Sequence, residues 1–121
     1  MIKLTVAHKA LRYAIGSVII IEGLDKFFNL LVNWKIYLAD PLADIWPWSA
    51  ESFLYVLGIT EITVGIIFLL RARPGGLLVA GLMAGIIIDL LLLGDFYNMI
   101  LLNVVIGLAA LHLREGNLTA N

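Results

Sequence analysis

The sequence predicts an all-α, polytopic membrane protein: an antiparallel bundle of four transmembrane helices with both termini on the cytoplasmic side. Three observations predict it. Of the 121 residues, 62% are hydrophobic and only 14% charged, and the mean hydropathy of +1.02 is far above that of soluble domains. Four apolar stretches, each on the order of 20 residues, match the length a helix needs to cross a hydrocarbon core of ~30 Å. Lys3, Lys9, Arg12, Arg71, Arg73 and Arg114 fall on one side of these stretches and only Lys35 on the other, which sets the orientation by the positive-inside rule. Residues 1–121 are expected to form a single membrane domain, with no length left over for a soluble catalytic one.

The first span is expected at about 11–32. A basic start followed by an apolar run resembles a signal peptide, but no small-residue cleavage site follows, and Glu22 to Lys26 interrupt the run; a retained span is expected. Glu22, Asp25, Lys26, Asn29 and Asn33 share one helical face, with spacing i, i+3, i+4, i+7 and i+11, as a polar stripe in the outer half. Ile15, Val18 and Ile19 continue that face inward. The pattern describes a cleft open from outside, closed below.

The outer loop, 33–50, holds Trp34, Trp46, Trp48, Tyr37, Pro41 and Pro47. Trp and Tyr favour the headgroup level, so the loop is expected along the outer interface, chiefly as an aromatic anchor, with a lid over a pocket as the alternative. The second span, about 52–70, carries Glu61 near its centre on a face with Gly58 and Gly65. Arg71-Ala-Arg-Pro-Gly-Gly is expected to close a tight hairpin. The third span, 75–94, carries Asp89 and a Gly81-x-x-x-Gly85 pair, expected to serve internal helix packing rather than dimerisation. Gly94-Asp95 turns the chain into the fourth span, 96–113, which carries Asn103.

A charged side chain at bilayer depth costs roughly 2.5 to 3.5 kcal/mol, so such residues face a polar interior and mark candidate sites. Rise along each helix puts Lys26, Asp89 and Asn103 at similar depth, with Glu22 and Glu61 nearer the midplane. Glu22, Lys26, Glu61, Asp89 and Asn103 are the candidate ligand-binding residues. Lys26 faces Glu22, Asp25, Glu61 and Asp89 as the sole cation, and Glu22 and Lys26 have the favourable i to i+4 order for an ion pair. The surplus carboxylates must be protonated, reach water or pair with something else. Such a cluster binds protons or a polar headgroup, or only locks helices together. No catalytic residue is assigned.

Other chemistries find little support. A net charge of −1 with basic residues spread along the chain gives no nucleic-acid footprint. The absence of cysteine excludes a disulfide relay, a cysteine-ligated cluster or a thiolate nucleophile in this chain. His8 and His112 show no metal-ligand spacing, and no metal is expected.

Arg12, Gly16, Gly23 and Lys26 in the first span, with Gly58, Glu61, Ile62, Gly65 and Arg71 in the second, resemble the DoxX-like family of small four-helix integral membrane proteins. That family's first helix begins with an arginine and carries Gly-x-x-Lys, and its second carries Gly-x-x-Glu-x-x-x-Gly. Arg12, Gly23, Lys26, Glu61 and Gly65 occupy the patterned positions; Asp25 and Asp89 are acidic additions. The resemblance implies a multi-pass protein of a bacterial or archaeal cytoplasmic (inner) membrane. Relatives include the membrane subunit of a thiosulfate:quinone oxidoreductase, a partner in a membrane-associated oxidoreductase complex, and receptor-assembly chaperones of similar shape. Fold likeness does not transfer a reaction.

The expected function is therefore an accessory or scaffold subunit of a quinone-linked oxidoreductase complex, not catalytic alone. It would have no intrinsic cofactor, a bound quinone or lipid in a polar pocket open to the outer side, and the bilayer and other membrane subunits as partners. The alternatives are a non-catalytic assembly factor or chaperone, and a small proton-coupled carrier, against which the apolar inner half of the first span and the unbroken helices argue.

Overall fold

The computed structural model describes residues 2–120, with side-chain environments described over 6–114. The elements are α1 (Ile2–Phe28), a 3-10 turn (Trp34–Tyr37), α2 (Asp40–Ile45), α3 (Ala50–Leu70), α4 (Ala72–Leu93) and α5 (Tyr97–Ala120). Among the described residues there is no strand. Three helices are long and apolar enough to cross a membrane: α3, α4 and the Tyr97–Arg114 part of α5. The chain is a membrane protein. α1 spans 27 residues but carries Lys9, Arg12, Glu22, Asp25 and Lys26, and it lies against α3.

Small residues decide which helices touch. A Cβ built on Gly23 would lie 2.7 Å from the Gly58 carbonyl oxygen, and one on Gly58 would lie 2.7 Å from that of Gly23. Gly16 and Gly65 repeat the contact two turns away, where a Cβ on Gly65 would come within 2.9 Å of the Gly16 oxygen. Both pairings run in opposite chain directions, so α1 and α3 are antiparallel and packed backbone to backbone. α4 meets α5 the same way through Gly76 against Ala110 and Gly107 against Met83.

The end of the molecule that carries Arg71, Arg73 and Arg114 is closed by a dry core of Ile19, Val64, Phe68, Ala72, Val79, Met83, Ala110 and Leu113. Here α1 and α5 meet through the edge-to-face rings of His8 and His112, 5.4 Å apart. Arg114 Nε donates to the Arg73 carbonyl at 2.9 Å. Away from this core the helices present Leu70, Leu77, Leu101, Val105 and Leu108 outward, the apolar exterior that lipid requires.

Several boundaries differ from the sequence expectation for physical reasons. α1 stops at Phe28, not Val32, because Asn29 adopts a left-handed φ of 52° and the following amides turn to a side chain. Asn29 and Asn33 therefore leave the expected polar stripe: Asn29 accepts from the Trp34 amide and Asn33 from the Lys35 amide. The hairpin expected over Arg71–Gly76 shrinks to Arg71, since α4 already begins at Ala72. Pro74 fits the first helical turn, where its missing N–H has no partner to lose. Gly75 and Gly76 act as close-packing residues there: a Cβ on Gly75 would overlap the Phe68 backbone, and one on Gly76 would lie 2.6 Å from the Ala110 oxygen. At the other end Gly94, with φ 75°, caps α4.

The Gly81-x-x-x-Gly85 pair also reads differently. A Cβ at either glycine would meet nothing within 4 Å, so neither packs against a helix of this chain. Gly23→Ala or Gly58→Ala should lower stability by about 1–3 kcal/mol through overpacking. Gly81→Ala should leave it unchanged or raise it by about 0.5–1 kcal/mol through helix propensity. Thermal unfolding of the detergent-solubilised variants reads both.

Candidate functional site

The loop-end half of the molecule encloses a cavity of ≈490 Å³. Glu22 and Lys26 reach it from α1, Glu61 from α3, Asp89 from α4 and Asn103 from α5. All five residues singled out from the sequence thus line one space. Its remaining wall is apolar, including Leu54, Leu57, Ile86 and Ile106.

The close approach of Gly23 and Gly58 places Lys26 beside Glu61. Lys26 Nζ lies 2.5 Å from Glu61 Oε1, with the two residues 4% and 0% exposed. The ammonium also sits 3.7 Å from the centre of the Trp34 ring, a cation–π contact that partly replaces lost water. Glu61 Oε2 is buried and has no hydrogen-bond partner among the described residues. The sequence pointed to Glu22 as the lysine's partner by its i to i+4 order; the structure pairs Lys26 with Glu61 instead, across helices.

Asp25 has a different task from its neighbours. It is 5% exposed but does not line the cavity. Its Oδ1 accepts from the Leu30 and Leu31 amides at 2.8 and 3.1 Å, and Oδ2 from Leu31, Val32 and the Trp34 indole at 3.1, 3.3 and 2.9 Å. A carboxylate surrounded by amides ends α1, orders the chain that follows and aims Trp34 at Lys26. Sequence spacing placed Asp25 on the polar face but carried no sign of this role.

A second carboxylate holds the far side of the same loop. Asp89 Oδ1 accepts from the amide of Ala39 at 2.8 Å, and Ala39 is wholly buried. Between these two anchors, Trp34, Tyr37, Leu38 and Leu42 line the cavity, and Tyr37 packs edge-on against Phe96 at 4.7 Å. The loop thus roofs the cavity, the alternative the sequence left open beside a plain aromatic anchor. Farther along, Trp46 stacks edge-on with Trp48 and Phe53 and donates to Ser52 Oγ at 2.9 Å. Lys35 pairs with Glu51 on the exposed surface.

Gly81 and Gly85 complete the cavity wall. Their missing side chains keep that flank open, a use of GxxxG that sequence spacing alone does not separate from helix packing. Among the described residues no group of three or more His, Asp or Glu side chains is arranged to hold a metal.

Removing Lys26 leaves a buried, uncompensated carboxylate. Lys26→Met should therefore cost about 3–5 kcal/mol, and the Lys26→Met/Glu61→Leu double variant should regain much of it; chemical unfolding in detergent measures both. Asp25→Ala should free the 29–38 segment without unfolding the helices, seen as faster amide exchange there and a red-shifted tryptophan emission.

A family model described as DoxX matches residues 7–92. The match takes in Glu22, Lys26, Glu61 and Asp89 and stops short of Asn103. No curated protein and no solved structure matches the chain.

Proposed function

Since this chain belongs to the DoxX family of membrane proteins, we propose that it is an accessory subunit of a membrane-bound oxidoreductase complex and that its cavity receives a quinone headgroup. In this reading α1 is a fourth span and both termini are cytoplasmic. Arg71, Arg73 and Arg114 share an end with the start of α1, which supports that orientation. The membrane is the cytoplasmic membrane of a bacterium or archaeon.

One observation carries the proposal: a cavity of ≈490 Å³ joins a polar cluster to apolar helix walls. Its volume lies within the usual range for small-molecule sites, ~300–1,000 Å³. A quinone needs both kinds of surface, polar groups for its ring oxygens and an apolar flank for its tail. Gly81 and Gly85 provide an unobstructed side for that tail. The dry core from Ile19 to Leu113 closes the opposite end, which supports a blind pocket over a transmembrane path. Electrons would enter and leave through a partner subunit, and the exposed apolar face of α5, including Leu101 and Val105, is available to protein or lipid.

Protein purified in mild detergent should retain a quinone detectable by mass spectrometry of the solvent extract, together with oxidoreductase subunits captured by cross-linking. Gly85→Phe, which fills the open flank, should abolish quinone retention while the melting temperature stays near that of the parent. A homogeneous, ligand-free and partner-free preparation would count against the proposal.

A further inference from the structure

Resting on the quinone reading above, we propose that the cavity selects the reduced dihydroxy form, the quinol, over the quinone. The basis is the inventory of hydrogen-bonding groups that remain available to a guest.

The fixed donors around the cavity are already engaged. Lys26 is held by Glu61 at 2.5 Å and lies over Trp34, and at 4% exposed it turns little of its remaining N–H capacity to a guest. The Trp34 indole N–H is given to Asp25 and the Ala39 amide to Asp89. Acceptors remain in excess. Asp89 uses only Oδ1 and Glu22 accepts no hydrogen bond among the described residues, whereas both oxygens of Glu61 are buried out of a guest's reach. Asn103 and the Tyr37 hydroxyl can act in either sense.

A quinone carbonyl brings only lone pairs to such a wall and leaves those acceptors unsatisfied. A quinol brings two O–H donors, which those free carboxyl oxygens can accept. The two forms share ring and tail, so the apolar flank at Gly81 and Gly85 does not distinguish them. The preference therefore resides in the polar end alone.

The test compares a decyl-substituted benzoquinol, its quinone and the dimethyl ether of the quinol. Each is titrated by calorimetry under argon into the full-length protein in nanodiscs. The quinol should bind about tenfold or more tightly than the quinone, and the dimethyl ether should lose that advantage. Glu22→Gln, which keeps the Lys26–Glu61 pair, should narrow the difference between the two forms. Gly85→Phe should remove binding of both. Equal or tighter quinone binding, sensitive to Gly85→Phe, overturns the quinol preference and leaves the quinone site standing. A preference that survives Gly85→Phe places the selectivity elsewhere and overturns it too. Binding of none of the three compounds overturns both readings, as does binding of decylammonium alone, which would show that charge rather than donor count governs the site.

Discussion

The buried pair of Lys26 and Glu61 is the constraint on which the rest of the structure depends. Each ion gives up several kcal/mol of hydration on leaving water, and a distance of 2.5 Å is reached only if α1 and α3 approach without intervening side chains. Gly23 and Gly58 permit that approach, and the Trp34 ring covers the ammonium from above. Helix contact, ion pair and roof are thus mutually required. Each satisfies a demand the others create.

Much of this was legible in the chain, because the relevant signals are local and periodic. Apolar stretches of membrane length locate the long helices, and four of the charges within them, with Asn103, locate the five candidate residues of the cavity. What was not legible depends on contacts between distant segments. The i to i+4 rule favoured Glu22 as the partner of Lys26, yet Glu61, 35 residues away, pairs with it, since helix docking outweighs a solvent-type helical pair. Similarly, Gly75 and Gly76 look like turn residues but sit inside α4, where Phe68 and Ala110 leave no space for a Cβ.

The two uses of glycine in this protein have opposite physical meanings. Gly23 and Gly58 remove volume so that backbones can touch, whereas Gly81 and Gly85 remove volume so that a space can persist. Only the surroundings distinguish them, through a carbonyl at 2.7 Å in one case and nothing within 4 Å in the other. The first pair sets how closely α1 and α3 approach, and the second shapes the cavity.

The two anchors of the roof differ in how far they reach along the chain. Asp25 gathers partners no more than nine residues ahead, ending at Trp34, whereas Asp89 holds an amide 50 residues behind it. Loop closure over nine residues is entropically slight and over fifty is costlier. During synthesis the first half of the roof can therefore form as soon as α1 and its loop emerge. The second half waits for α4, so the roof is completed only after three of the four long helices that line the cavity have been made.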